Sequence, residues 1–128
     1  MSAAPSSLES WMKATRPATL LAGAVPVLVA LAMCWNHPDL RLEMAVVALV
    51  CALLIQIATN FANDYYDCIK GADTDDRLGP KRATQQGWIA PKTMKRATVG
   101  VLVVAFLLGC ILIARGGWPI AVLGVLSL

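Results

Sequence analysis

The sequence has 128 residues, of which 58% are hydrophobic and 15% are charged, whereas a typical soluble domain is about 25% charged. This much apolar material excludes a disordered chain, and so little charge argues against a soluble domain with a water-covered surface. The four cysteines show no paired short spacing of the kind that predicts a disulfide framework. The composition therefore predicts a chain that folds in a lipid bilayer.

Long apolar runs predict membrane helices, since a span needs about 20 such residues. We predict a first helix over 18–35 with a kink at Pro26, a second over 44–67 and a third over 97–114. A fourth run, 118–128, is too short to cross. The predicted fold class is all-α, a polytopic transmembrane helix bundle with about three and a half helices. Because the incomplete helix needs partners, we expect the chain to be a fragment of a single larger membrane domain, with a separate partner chain or a homo-oligomer as the alternatives.

The distribution of Lys and Arg predicts the orientation of these helices. Two precede the first helix, one lies between the first and second, seven lie between the second and third, and one precedes the fourth. The positive-inside rule then places the N-terminus and the loop over 63–96 in the cytoplasm. We predict a multi-pass protein of the cytoplasmic (inner) membrane with a cytoplasmic N-terminus, which we expect to remain attached because no signal-peptide cleavage pattern follows it.

A polar stripe interrupts the second helix near its end. Its members follow one another mostly in steps of three or four residues, which places them on one helical face; they are Gln56, Asn60, Asn63, Asp64 and Asp67. Ionisable groups inside a membrane are costly and usually functional. Because Asp64 and Asp67 repel each other, we expect a positive group beside them or a proton on one of them. For Gln56 and Asn60, an interhelical hydrogen-bond network is the alternative.

The loop after the stripe combines acidic and basic residues. Its acids are Asp73, Asp75 and Asp76, and the bases around them are Lys70, Arg77, Lys81 and Arg82. Carboxylates beside a phosphate are the usual setting for Mg²⁺, which keeps several of its waters. A magnesium diphosphate would suit both sets of residues, because the acids could bind the metal ion and the bases could bind the phosphate oxygens. If the diphosphate carries an apolar group, that group would lie among the helices.

Other classes of protein remain open on the residues alone. A calcium-binding EF-hand beginning at Asp73 fails, because Leu78 stands at its sixth position and Thr84 at its twelfth. An ion-coupled transporter could use the same intramembrane Asn and Asp residues to bind a cation, although the neighbouring bases argue against simple cation passage. A non-catalytic membrane subunit is favoured only by the short chain.

A motif that begins within the stripe resembles that of a known family. Its stretches are Asn63-Asp64-Tyr65-Tyr66-Asp67, Lys70-Gly71-Ala72-Asp73, Asp76-Arg77, Gly79-Pro80 and Lys95-Arg96-Ala97. They resemble the first aspartate-rich region of the UbiA superfamily of intramembrane prenyltransferases, and most closely its MenA type. Arg16-Pro17-Ala18-Thr19, after Trp11, is similar to the start of that family's first helix. Gly71 stands where the motif usually has its third acid, and the MenA-like pattern implies that Asp73 or Asp76 replaces it.

The resemblance implies the N-terminal part of a bundle of about nine helices and a specific reaction. This is Mg²⁺-dependent transfer of a polyprenyl group from an allylic polyprenyl diphosphate to 1,4-dihydroxy-2-naphthoate, with decarboxylation to demethylmenaquinone. The implied metal ligands are Asn63, Asp64, Asp67, Asp73 and Asp76; the implied catalytic residues are Asn63, Asp67 and Arg77. Substrate contacts are expected from Arg16, Asn60, Lys70, Arg77, Lys81 and Arg82. The expected partners are the two substrates, the lipid bilayer and the remaining helices of the full-length enzyme, with no nucleic acid.

Overall fold

The computed structural model describes residues 5–71 and 82–126, and within these ranges the chain is helical and contains no β-strand. The helices are α1 (Ser7–Thr15), α2 (Pro17–Met33), α3 (Leu42–Lys70), α4 (Pro91–Gly116) and α5 (Trp118–Leu126). The predicted all-α class is confirmed. The predicted sites Asp73, Asp76, Arg77 and Lys81 lie outside the described residues.

Two helices, α3 and α4, are long and apolar enough to cross a membrane, and α1 with α2 makes a third candidate span that is bent by 43°. The bend lies at Arg16, which has a left-handed backbone conformation with φ of 50°. Pro17 then occupies the first turn of α2, where its missing N–H costs nothing. The chain is therefore a multi-pass membrane protein, and α2 continues through Pro26.

The helix boundaries differ from the sequence prediction mainly at polar ends. Helix α1 was not predicted; its N-terminus is a capping box in which Ser6 and Glu9 exchange backbone and side-chain hydrogen bonds. Helix α4 begins at Pro91 rather than 97, and α3 extends to Lys70. All four cysteines are free.

The buried core lies at the end of the bundle where α3 ends and α4 begins, here called the loop end. Helix α3 packs against α4 on one side and against α2 and α1 on others. A cluster of buried apolar residues joins α1, α3, α4 and the segment before α4; it consists of Ala14, Phe61, Ala83, Ile89 and Met94. Trp11 of α1 packs edge-on against Phe61 with 5.5 Å between ring centres. This core therefore fixes the polar end of α3 relative to its neighbours.

Close packing of α2 on α3 depends on Gly23. A Cβ atom at this position would lie 3.2 Å from Gln56 Cβ and 3.3 Å from the Ala52 carbonyl oxygen. We expect Gly23→Leu to destabilise the α2–α3 contact by about 1–3 kcal/mol through overpacking. Thermal unfolding in detergent measures this effect, and Gly100→Leu is the control because, apart from the neighbouring backbone of α4 itself, no described atom lies within 4 Å of a Cβ there. Equal unfolding midpoints for both variants would contradict the prediction.

Candidate functional site

The last three turns of α3 carry the candidate site. The helix ends at Lys70, and Gly71 closes it in the left-handed conformation with φ of 60°. Asn60, Asn63, Asp64 and Asp67 therefore lie on regular helix just before this end, and the loop end of the bundle brings residues 82–84 against them.

Asp64 is the most buried of these polar residues, with 2% of its surface exposed. One carboxylate oxygen, Oδ2, accepts a hydrogen bond from the Ala83 backbone N–H at 3.1 Å. The other, Oδ1, accepts from the Thr84 backbone N–H at 3.3 Å and lies in hydrogen-bond contact with the Thr84 hydroxyl. That hydroxyl also lies 2.9 Å from the Asp64 carbonyl oxygen. Asp64 thus holds the segment before α4 against α3.

Arg82 supplies the positive charge expected beside the two acids. Its Nη2 forms an ion pair with Asp67 Oδ2, and its Nη1 donates to the Asn63 backbone carbonyl at 2.6 Å. The Arg82 side chain is only 5% exposed, whereas that of Asp67 is 32% exposed. Asp67 therefore has a carboxylate that is paired with a buried cation and is itself partly exposed.

Asn60 faces a different neighbour. Its side-chain nitrogen donates to the Thr15 carbonyl at 2.8 Å and to Thr19 Oγ1 at 2.9 Å. Thr19 Oγ1 in turn donates to the Arg16 carbonyl at 2.9 Å. Asn60 thus makes the interhelical hydrogen bonds that were one of the two interpretations of the stripe. A substrate contact by Asn60 or Arg16 stays a prediction.

The junction between α1 and α2 should depend on these bonds. Replacing the buried Asn60 with Leu removes the amide donor, so the Thr15 carbonyl loses this hydrogen bond. We expect the free energy of unfolding to fall by about 1 kcal/mol. Thr59→Val is the matched control, because Thr59 is exposed and bonds only within its own helix, to the Ile55 carbonyl, among the described contacts. Thermal unfolding of both variants tests this, and an unchanged midpoint for Asn60→Leu would refute it.

The structure brings some predicted residues together and leaves others apart. Asn63 and Lys70 have exposed side chains near Asp67 in sequence, and Gln56 is half-buried against α2. Among the described residues, no group of three or more His, Cys, Asp or Glu side chains is placed to hold a metal. The oxygen donors of Asn63 and Asp67, one helical turn apart, nevertheless match the hard ligands that Mg²⁺ prefers, and Mg²⁺ needs few protein ligands. Their roles as ligands stay predictions.

Sequence reasoning missed the partners of these residues. Ala83 and Thr84 lie 19 and 20 positions after Asp64 in the sequence, yet both bind it. No periodic pattern connects residues that are so far apart. A second missed contact places Lys13 Nζ 4.9 Å from the ring centre of Trp88, which adds a cation–π contact between α1 and the same segment. The available signal in the sequence was the repulsion between Asp64 and Asp67. It predicted that a positive group would lie beside them, but not which part of the chain would supply it.

Comparison with known proteins identifies the family. Residues 23–128 match the UbiA prenyltransferase family, and the chain therefore belongs to it. The chain is 38% identical over 109 residues to 1,4-dihydroxy-2-naphthoate octaprenyltransferase of Escherichia coli (strain K12), which covers 85% of this chain and 35% of that protein. It is 39% identical over 116 residues to the protein of that name in Bacillus subtilis (strain 168), covering 89% and 37% of the two chains.

The relative in Mycobacterium tuberculosis (strain ATCC 25618 / H37Rv) carries the same name and is 35% identical over 118 residues, covering 91% of this chain and 40% of that protein. The chain thus spans 35% to 40% of the length of these curated relatives. No solved structure gives a significant match.

Proposed function

We propose that this protein is a prenyltransferase that moves a polyprenyl group from an allylic polyprenyl diphosphate to 1,4-dihydroxy-2-naphthoate in menaquinone biosynthesis. Membership of the UbiA prenyltransferase family and the shared name of its relatives support this proposal. The observation that carries it is the pairing of a partly exposed Asp67 with Arg82 at the end of an apolar helix. Such a site has the charges for a diphosphate head, and the bilayer suits its polyprenyl tail.

The reaction breaks the C–O bond between the prenyl carbon and the diphosphate, whose oxygen keeps the bonding electrons. The allylic carbon then bonds to the ring carbon that bears the carboxylate, and this carboxylate leaves as CO₂ to give the reduced, hydroquinone form of demethylmenaquinone. Negative charge grows on the departing diphosphate, so fixed positive charge around it lowers the barrier. Exclusion of water protects the allylic cation from hydrolysis.

Asn63 and Asp67 would hold Mg²⁺, together with Asp73 and Asp76 from outside the described residues. Bound Mg²⁺ supplies positive charge to the departing diphosphate. Asp67 is suited to this role because its side chain is 32% exposed. Asp64, also predicted as a ligand, has both carboxylate oxygens engaged by Ala83 and Thr84.

The basic residues near Asp67 would bind the diphosphate oxygens. Arg82 lies beside Asp67 with its guanidinium already fixed, and a guanidinium can donate two parallel hydrogen bonds to a phosphate. Lys70 is exposed at the end of the same helix. Arg77 and Lys81 would complete this set from outside the described residues.

We further propose that the loop end faces the cytoplasm and that the protein lies in the inner membrane. Lys70, Lys92, Lys95 and Arg96 are exposed at this end. An excess of Lys and Arg is typical of cytoplasmic connections.

The assay uses membranes from cells that express the complete coding sequence. With a polyprenyl diphosphate and 1,4-dihydroxy-2-naphthoate, we expect prenylated, decarboxylated product only when Mg²⁺ is present, and none after chelation. Membranes from cells with the empty vector are the control. Absence of product from wild-type protein would refute the proposal, and solute accumulation in sealed vesicles without a prenyl donor would identify a transporter instead.

A further inference from the structure

We propose that Asp64 and Thr84 are positioning residues that fix Arg82 beside Asp67, and that Asp64 is not a metal ligand. We call Asp64, Ala83 and Thr84 together the Asp64 anchor. The inference rests on the proposed function only for what Arg82 and Asp67 bind; the anchor itself is a feature of the fold.

The hydrogen bonds of Asp64 support this assignment. A carboxylate only accepts hydrogen bonds, and here the two oxygens face the N–H groups of Ala83 and Thr84 and the Thr84 hydroxyl. All three residues of the anchor are buried, Ala83 to 2% and Thr84 to 5% exposure. These donors take three of the roughly four acceptor sites of the carboxylate. A metal ion on Asp64 would have to compete with them in a site that is only 2% exposed, and any donor that it displaced would be left buried without a partner, which is costly.

The anchor determines where Arg82 lies. Arg82 directly precedes the two residues whose backbone N–H groups bind Asp64, so its own backbone is held close to α3. From there its guanidinium reaches the Asn63 carbonyl and Asp67, one turn further along the helix than Asp64. One face of α3 therefore makes two sets of contacts with residues 82–84. Asp64 binds the backbone N–H groups of Ala83 and Thr84, and the Asn63 carbonyl and Asp67 bind the Arg82 side chain.

The segment that follows makes this arrangement rigid. The Trp88 and Ile89 N–H groups both donate to the Ala83 carbonyl, at 2.9 and 3.2 Å, and the Gln86 N–H donates to the Arg82 carbonyl at 3.0 Å. Ala83 and Ile89 also belong to the buried apolar cluster. A cation fixed in this way loses less entropy when it binds an anion than one on a mobile loop.

The test compares three single variants of the full-length protein in detergent, and a double variant that combines Asp64→Asn with Thr84→Val. Thr84→Val removes the hydroxyl but keeps the shape, Asp64→Asn removes the charge and one acceptor, and Thr84→Ser is the conservative control that keeps the hydroxyl. Three quantities are measured: amide hydrogen exchange over 82–89, Mn²⁺ binding without substrate by electron paramagnetic resonance, and KM and kcat with the allylic diphosphate.

We expect Thr84→Val and Asp64→Asn each to speed exchange over 82–89 and to raise KM for the diphosphate by about tenfold, with a smaller change in kcat. The double variant should be no worse than the more affected single one, because both changes break the same contact. Mn²⁺ affinity should fall by a similar factor, about tenfold, in Thr84→Val and Asp64→Asn, because neither change removes a ligand and both act on the same positioning contact. Thr84→Ser should resemble wild type.

Loss of Mn²⁺ binding in Asp64→Asn, combined with wild-type exchange and KM in Thr84→Val, would overturn the inference and make Asp64 a ligand. If Asp64→Asn does not fold, the comparison of Thr84→Val with Thr84→Ser decides, and identical exchange in those two variants would refute the anchor. If the wild-type protein shows no prenyl transfer, the proposed function fails while the exchange data still decide whether the anchor exists.

Discussion

Replacing Asp67 with Asn is expected to lower the rate of prenyl transfer by about 100-fold or more. The substitution keeps the size of the side chain but removes the negative charge that would hold Mg²⁺. Because the Asp67 side chain is 32% exposed, we expect the variant to insert in the membrane, but to be less stable than wild type because the buried Arg82 loses its charged partner. The measurement is the initial rate of product formation in membranes matched for the amount of protein.

Asp39→Asn is the matched control for that experiment. Asp39 lies in the turn between α2 and α3, with a side chain that is 89% exposed, and its described charged contact is with His37 at 3.9 Å. We expect wild-type turnover from this variant. If Asp67→Asn instead retains most of its activity while the protein is correctly inserted, the assignment of the site is wrong.

Arg82→Gln is expected to reduce both stability and turnover. The change leaves Asp67 and the Asn63 carbonyl without their guanidinium partner, and it removes the buried cation proposed to bind the diphosphate. Because Asp67 is partly exposed, we expect a cost of about 2 kcal/mol, below that of breaking a fully buried pair. Turnover should fall by about 100-fold, and Arg82→Lys should recover only part of it because lysine lacks the planar pair of donors.

Thermal unfolding and initial rates measure these two effects separately. Arg96→Gln is the control, since it makes the same chemical change at an exposed position on α4. Wild-type unfolding and turnover in Arg82→Gln would show that the observed ion pair contributes to neither folding nor catalysis.

The apolar parts of the fold could be predicted from sequence because hydropathy reports them directly. Helix α2, predicted over 18–35, spans Pro17–Met33. Helix α4 was predicted to begin too late, because Lys92, Lys95 and Arg96 form polar helical turns that a hydropathy signal does not detect. Helix α1 was missed although its Ser6 and Glu9 spacing is a recognised capping signal.

The candidate site could be predicted only in part, because the sequence pattern shows which residues share a helix but not which distant residues contact them. Steps of three and four residues correctly placed Asn60, Asn63, Asp64 and Asp67 on one helix near its polar end. Helical periodicity says nothing about which distant segment packs on that face. The described contacts divide the stripe: Asn60 binds the α1–α2 junction, while Asp64 and Asp67 bind residues 82–84.

Binding of a metal-bridged diphosphate at the polar end of α3 can be measured by calorimetric titration. The purified full-length protein is titrated with a non-hydrolysable allylic polyprenyl diphosphate, with and without Mg²⁺. We expect affinity at least about tenfold higher with Mg²⁺, and loss of this difference in Asp67→Asn. Equal affinity in the presence and absence of Mg²⁺ would contradict this expectation.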